Sequence, residues 1–299
     1  MNIYVETLIT GSIDELWEKT QVPELHESWD LRFSEIRYLP RVDESLPQQF
    51  LYKTRLGFGL EITGIGETVG TRINDDCRTS ALKFWSDDPK SLIKVGSGYW
   101  KYDQRAGGVR FLTGYNYETR FGGLGRVFDQ LIFRPLIGWA TAWSFDRLRL
   151  WIENGIDPST SLYNSIIHAL ARLTLVFIWL YQGFVPKLLF LHQDELVMMA
   201  AISSSPDVTP LAVRLLGLVE ILFAFFLLLS WKHRRVLLVN IPLMIFATLG
   251  IVFSSPGYLA AAFNPVTLNI AVIVLALIGY LSSAHLPSAS RCLRKEQKL

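Results

Sequence analysis

Cysteine is scarce in this sequence of 299 residues, and its two cysteines, Cys77 and Cys292, belong to no CxxC pair. Such usage excludes a disulfide framework and a thiolate metal site, and it is typical of a reducing compartment. A phosphate-binding loop is also missing, because TGIGE at 63–67 ends a strand pattern without a glycine-rich continuation into a helix. The sequence shows no set of nucleophile and base that is typical of a catalytic site, and no residues at the spacing of metal ligands. The sequence therefore reveals no cofactor or metal site and leaves open whether the protein is an enzyme.

Charge is scarce in only one half of the chain. Residues 1–158 carry 19 Lys/Arg and 22 Asp/Glu, whereas residues 159–299 carry only 10 Lys/Arg and 5 Asp/Glu. The overall net charge of +2 averages these two halves, so it indicates no basic face and no nucleic-acid partner. We therefore expect a soluble domain over 1–157, followed by a domain of a different kind.

The charge-poor half contains four apolar stretches of about 20 residues, each long enough to cross a hydrocarbon core about 30 Å thick. We predict an all-α transmembrane bundle of four helices over 162–285, followed by a basic cytoplasmic tail over 286–299. The predicted helices lie at about 164–184, 211–231, 235–254 and 263–283.

Basic residues determine the expected orientation of this bundle. Seven of the ten Lys/Arg in the second half lie in the turn at 232–235 and in the tail at 291–298. Because Lys and Arg favour cytoplasmic loops, we expect a multi-pass protein of the plasma (inner) membrane with both termini in the cytoplasm. The stretch 187–202 is too short and too charged to span. We expect it either along the outer interface or folded back over the mouth of the bundle.

Polar residues in or beside the predicted helices are informative, because they are costly inside a bilayer. Arg172 and Glu220 fall at similar depths on antiparallel neighbours, so we predict a buried pair between them. The pair either orients the bundle or serves a polar headgroup or a proton step. The complete predicted intramembrane polar cluster is His168, Arg172, Lys187, Arg214 and Glu220.

The first half alternates apolar and polar residues in strand-like segments such as 49–57 and 109–120, and it ends in an aromatic-rich helical region over 123–153. Ser12 and Glu15 form a capping box that begins a short helix. These elements predict an α+β helix-grip fold, in which an antiparallel sheet wraps around one long C-terminal helix. The aromatic content of the sheet face and of the terminal helix indicates a sizeable apolar interior, which is either packed core or a ligand cavity. If it is a cavity, six residues are candidates for lining it: Tyr52, Phe111, Tyr115, Tyr117, Trp139 and Trp143.

The first half also resembles a known superfamily. Its element order, together with ELW at 15–17, ESWDLRF at 27–33 and AWSFDRLRLWIENG at 142–155, is similar to that of the SRPBCC superfamily of START and polyketide-cyclase-like proteins. This resemblance implies an apolar cavity for lipids, isoprenoids, quinones or polyketides. Some members of the superfamily are enzymes, and many only bind or carry a ligand.

The second half resembles the DoxX-like membrane family. The similar features are Arg172, the segment WLYQGFVPKLLF at 179–190 with the Asp194-Glu195 pair after it, and RLLGLVE at 214–220. Some members of that family are associated with quinone-linked redox systems, but the missing CxxC argues against thiol redox chemistry here.

Our leading hypothesis is an inner-membrane protein whose cytoplasmic domain binds an apolar amphiphile and exchanges it with the four-helix membrane domain. The amphiphile would be a lipid, a quinone or a prenyl compound, and the expected partners are the lipid bilayer and this small molecule. One alternative is a subunit of a quinone-linked membrane oxidoreductase system with a separate redox partner protein. Another is a non-catalytic assembly or docking factor.

Overall fold

The computed structural model describes residues 2–43, 45–57, 59–201 and 209–296. These residues form two compact units. The sheet unit comprises the chain up to Ser161 and the segment from His285 onward, and the helical unit comprises Leu162–Ala284. The sequence predicts the C-terminal tail as a separate segment, whereas in the structure its described part belongs to the sheet unit.

The sheet unit contains one seven-stranded antiparallel sheet. The spatial order is β1-β7-β6-β5-β4-β3-β2, so every strand except β1 lies beside its neighbour in sequence. Alternate side chains along a strand point to the same face of the sheet, and one face is buried. In β1, for example, Ile3, Val5 and Ile9 are all buried. The strands are β1 Ile3–Ile9, β2 Glu35–Tyr38, β3 Gln49–Gly57, β4 Leu60–Ile73, β5 Cys77–Trp85, β6 Ile93–Arg105 and β7 Gly108–Thr119.

Helices cover the apolar face of this sheet. Two short ones follow β1: α1, Ile13–Gln21, in which the Ser12 side chain accepts a hydrogen bond from the Glu15 amide, and α2, Pro23–Trp29. After β7 come α3, Gly122–Phe128, a π-helical turn and then the long α4, Arg134–Asn154. The helix α4 packs along β1. The predicted α+β helix-grip class is therefore confirmed.

The C-terminal tail closes the free edge of the sheet at β1. Leu293 and Glu6 exchange two backbone hydrogen bonds of 2.9 Å each, as in an antiparallel ladder. The Ser288 amide donates to the buried Asp146 carboxylate of α4 at 2.7 Å, and Cys292 is buried against Ala142. The tail therefore completes the sheet unit, although four apolar helices separate the two in sequence.

This tail contact predicts the effect of one substitution. Leu293→Pro removes the amide that donates to the Glu6 carbonyl and should destabilise this edge by about 0.5–1.5 kcal/mol. We expect faster hydrogen exchange in β1 of the full chain, measured by mass spectrometry of its peptides. Leu293→Ala is the matched control, because it keeps the amide. Equal β1 exchange in the two variants would contradict the pairing.

In its described part, the helical unit contains four helical segments that are long and apolar enough to cross a membrane. Three lie close to the predicted stretches, but the first is longer at both ends, because α5 begins at Pro158 and a π-helical turn, Gly183–Leu189, continues it. The named helices are α5 Pro158–Gln182, α7 Thr209–Leu229, α8 Asn240–Ser254 and α9 Pro265–Ser282. The spanning segments are Pro158–Leu189, Thr209–Leu229, Arg234–Ser254 and Pro265–Ser282.

A short helix, α6, Gln193–Ala200, lies between the first two of these segments and packs against α7. The Tyr258 hydroxyl donates to Asp194 at 3.0 Å, which ties α6 to the connection after α8. The two positions predicted for 187–202, along the outer interface or folded back over the mouth of the bundle, both fit this packing and stay predictions. The stretch 202–208 lies outside the described residues.

Candidate functional site

A small apolar cavity lies in the sheet unit, between the sheet and the helices that cover it. Its volume is about 140 Å³, which is close to the space that one six-membered ring needs. Two of the six predicted cavity residues, Tyr52 and Tyr115, line it. Other lining residues are His26, Arg32, Phe33, Phe84, Trp100 and Ile137.

The other four predicted cavity residues do not line this space; they are Phe111, Tyr117, Trp139 and Trp143. Phe111 is fully buried and stacks on Phe145 of α4, with ring centroids 4.4 Å apart. The Tyr117 hydroxyl donates to Asp129 at 2.6 Å. Trp143 is buried in the core and Trp139 is exposed. An alternating pattern identifies a covered face, but it does not separate cavity lining from packed core.

Three charged or titratable residues form a buried cluster beside the cavity. Asp30 follows α2 and is fully buried. Arg32 donates to both of its carboxylate oxygens, at 2.9 Å from Nε and 2.5 Å from Nη2. His26 Nε2 lies 3.1 Å from Asp30 Oδ2. Both His26 and Arg32 line the cavity, so the cluster supplies its polar side.

Burial and charge determine the protonation of this cluster. Burial alone would raise the pKa of Asp30, but the charge and hydrogen bonds of Arg32 hold that pKa well below its usual range. Burial lowers the pKa of His26, against the opposing effect of Asp30. At neutral pH the cluster is therefore an Asp30–Arg32 ion pair beside a neutral imidazole.

This cluster was not predicted from the sequence. The available signal was the i, i+4 spacing of His26 on α2 and Asp30 at the C-terminal end of that helix, which places them one helical turn apart. Arg32 lies beyond the end of the helix, and only the fold shows that it turns back onto Asp30. Among the described residues, no group of His, Cys, Asp and Glu side chains is arranged to hold a metal ion.

A larger cleft of about 560 Å³ lies within the helical unit. All four spanning segments contribute to its wall, which is predominantly apolar. Polar side chains are confined to a few positions, among them Gln182, Lys187, Glu220 and Asn269. Apolar lining residues include Ile178, Trp179, Phe223, Leu243, Met244 and Val272.

Lys187 is the centre of the polar group in this cleft. Its ammonium lies 3.1 Å from Glu220 Oε2 and 3.0 Å from Glu195 Oε1, and its side chain is only 6 % exposed. Pro186 has no amide to donate to the Gln182 carbonyl, and Lys187 Nζ lies 3.3 Å from that oxygen. The π-helical turn thus brings a cation between two carboxylates.

The predicted Arg172–Glu220 pair is wrong. Arg172 Nη1 donates to the carbonyls of Leu227 and Ser230 at 2.8 and 2.7 Å, and Nη2 donates to that of His233 at 3.4 Å. These carbonyls lie at and just beyond the C-terminal end of α7, where backbone acceptors lack helical donors. A cation there also complements the helix dipole. Arg172 is therefore a buried helix cap, fully removed from solvent.

Two further residues of the predicted polar cluster lie apart from Lys187. His168 Nδ1 is 2.9 Å from the Gly279 carbonyl of α9, so it connects α5 to α9. Arg214 is exposed on α7, and no ion pair in the described part of the chain includes it. The predicted cluster is thus four separate features, of which only the Lys187–Glu220 pair lines the cleft.

Two glycines allow Lys187 to approach Glu220. A Cβ atom on Gly217 of α7 would lie 2.6 Å from the Gly183 carbonyl oxygen and 2.8 Å from Lys187 Cβ. A Cβ atom on Gly183 would lie 2.5 Å from the Gly217 carbonyl oxygen. Small residues at such a crossing let two membrane helices pack backbone to backbone.

Gly217→Ala should therefore separate these two segments and weaken the Lys187–Glu220 contact. We expect a loss of about 1–3 kcal/mol in the stability of the helical unit, as for other overpacked positions. Gly250→Ala on α8 is the matched control, because no atom lies within 4 Å of its added methyl group. Unfolding in increasing fractions of SDS measures the stability of both variants. Equal stability of the two variants would exclude the close crossing.

A membrane protein of Bacillus subtilis (strain 168), YndG, is 53 % identical to this chain over 189 residues. The alignment covers 61 % of this chain and 68 % of that protein. This chain belongs to the family of YndG. Residues 176–277 match the DoxX-like family. Every lining residue of the membrane cleft, from Ile178 to Val272, falls within that range.

Solved structures are similar to the first half of the chain. The di-domain aromatase/cyclase StfQ of steffimycin biosynthesis is 15 % identical with a TM-score of 0.40, and the match covers 52 % of this chain and half (50 %) of that chain. Protein jhp0584 of Helicobacter pylori is 14 % identical with a TM-score of 0.40, covering 51 % of this chain and 88 % of that chain. At these scores the similarity carries no argument about function, and the fold assignment rests on the strand order.

Proposed function

We propose that this membrane protein binds an apolar amphiphile in the cleft of its helical unit, with the polar head at Lys187 and Glu220. The observation that carries the proposal is a buried ion pair in the wall of a cleft of about 560 Å³ that is otherwise mainly apolar. Charged side chains are rare inside membrane segments and mark functional sites there by default. An apolar chain would fill the cleft, and the polar residues would orient its head.

Hydrogen bonding restricts the class of head. Lys187 already faces two carboxylates, so the group has an excess of acceptors. Glu220 Oε2 is buried and, among the described residues, receives no well-directed hydrogen bond. A head that donates a hydrogen bond, such as the hydroxyl of a quinol or of a prenyl alcohol, would satisfy this oxygen.

The cavity of the sheet unit is too small for a whole amphiphile. At about 140 Å³ it accommodates one ring or a short piece of chain, next to His26 and Arg32. In our proposal this cavity takes the ring or the end of the same ligand during exchange with the cleft. Its aromatic lining supports this role.

A photoreactive amphiphile tests the binding proposal. A diazirine-bearing prenyl phenol should label peptides of α7 and α8 that contain Phe223 and Met244 in the full chain, and excess unlabelled prenyl phenol should compete. Labelling confined to the outer surface residues Leu222 and Phe253, without competition, would show that the probe only dissolves in the surrounding lipid.

We also propose that the chain crosses the membrane four times, with both ends in the cytoplasm. The pairing of Leu293 with Glu6 supports an even number of crossings, because both flanks of the helical unit belong to one folded unit. The basic turn at 232–235 and the basic tail support the cytoplasmic side for those ends.

Reporter fusions give a direct readout of this topology. Fusions after residues 161 and 233 should report the cytoplasm, and a fusion after residue 258 should report the outer side. A reporter that is active outside when it is fused after residue 161 would reverse the whole arrangement.

A further inference from the structure

The segment Phe121–Trp139 of the sheet unit is amphipathic in the reverse sense of an ordinary surface helix. Eight of its large apolar side chains are at least 43 % exposed, including Leu124 at 86 % and Leu131 at 73 %. The full set is Phe121, Leu124, Val127, Phe128, Leu131, Ile132, Leu136 and Trp139. Patches of this kind mark interaction surfaces, because water does not favour them.

The inner side of the segment is polar. Asp129 is buried, accepts a hydrogen bond from the Tyr117 hydroxyl at 2.6 Å and pairs with Arg134 at 2.8 Å. The only carboxylate of the segment is therefore turned inward and neutralised, while Arg126 is exposed among the apolar side chains. A segment with polar groups inside and apolar groups outside fits an environment of low polarity.

We propose that this segment, which we call the docking face, lies in the interface of the lipid bilayer. An exposed Arg126 beside Leu124, Val127 and Leu131 matches the pattern of interfacial helices, which bury apolar side chains about 5–10 Å deep and attract anionic lipid. Chain connectivity keeps the bilayer within reach. Only the part of α4 after Trp139 and residues 155–157 separate the docking face from the first spanning segment, a path of roughly 30 Å at helical and extended rise.

Docking would also serve the cavity of the sheet unit. Ile137 lines that cavity and lies between Leu136 and Trp139 of the docking face. The inference does not depend on the proposed ligand, since the docking face would enter lipid whether or not an amphiphile is bound.

A fluorescent probe on the full chain in lipid nanodiscs tests this inference. In a background with Cys77→Ser and Cys292→Ala, Leu131→Cys is labelled with the environment-sensitive dye NBD. The matched control is Val42→Cys, which is 98 % exposed in the same unit. The discs contain phosphatidylethanolamine and phosphatidylglycerol, with or without lipids that carry a nitroxide on the acyl chain.

We expect NBD at position 131 to emit at shorter wavelength than at position 42 and to lose most of its emission to the nitroxide lipids. It should also resist quenching by aqueous iodide. Identical aqueous behaviour at both positions would overturn the inference. Protection from iodide without nitroxide quenching would overturn it as well, because it would show that a protein surface covers the docking face.

Discussion

Replacing Lys187 with methionine should destabilise the helical unit by about 3–5 kcal/mol, because it leaves Glu220 as an uncompensated charge in a buried site. Glu195 would lose the same partner, since its Oε1 lies 3.0 Å from the Lys187 ammonium. Unfolding of the full chain in increasing fractions of SDS measures the loss. The matched control is Arg214→Met, which removes an exposed cation from α7 and should change stability little.

The double variant Lys187→Met/Glu220→Leu separates stability from function. Removing both partners should cost less than the sum of the single changes, because the double variant leaves only Glu195, and no longer Glu220, without its cation. Additive losses would show that the two residues do not interact. If the pair only held the bundle together, the stable double variant would keep its ligand, whereas our proposal expects a folded protein without one.

Replacing Arg32 with methionine should destabilise the sheet unit by a similar amount, about 3–5 kcal/mol at neutral pH, because Asp30 loses both of its hydrogen bonds from the guanidinium. Hydrogen exchange of the α2 and β7 peptides in the full chain reports the opening of this unit alone. Arg37→Met, an exposed position on β2, is the matched control. Unchanged exchange in the Arg32 variant would exclude a stabilising role for the ion pair.

The pH dependence of the same variants follows from the direction of the pKa shifts. Asp30 has a depressed pKa. Its contribution to the free energy of unfolding is therefore present above about pH 3.9 and is lost as the pH falls below that value. The pKa of His26 is also depressed, so protonation favours the unfolded state below about pH 6.5. Wild type should therefore lose stability in acid. In Arg32→Met, burial raises the pKa of Asp30. The difference in stability between this variant and wild type should therefore become smaller as the pH falls.

Fold class and spans could be predicted because they depend on patterns that extend over many residues. Alternation over 109–120 identifies β7, and the 20-residue apolar stretches identify the spanning helices. The ends of those stretches could not be predicted as well. Hydropathy falls at Lys187, so the sequence placed this residue beyond the first helix, whereas the π-helical turn keeps it within the first spanning segment.

That error also explains the wrong partner for Glu220. Arg172 and Lys187 are 15 residues apart, about 22 Å along a helix at 1.5 Å per residue. The predicted pair joins Glu220 to Arg172, which lies near the middle of its helix, whereas in the structure Glu220 pairs with Lys187, near the end of the first spanning segment. The carbonyls that bind Arg172 carry no sequence signal, because any residue supplies one.

The tail contact and the docking face were missed for a related reason. A single ladder pair between Leu293 and Glu6 is too short to produce a strand pattern. In the docking face, sequence alone favours a buried apolar stripe, and only the observed exposure of residues such as Leu131 reverses that interpretation.

Native mass spectrometry of the full chain, purified in mild detergent, tests the central claim most directly. We predict that wild type and Arg214→Met retain one tightly held amphiphile per chain, and that the folded Lys187→Met/Glu220→Leu variant retains none. Retention of the same amphiphile at the same occupancy in the double variant would contradict the account, and so would a wild-type protein that carries no amphiphile.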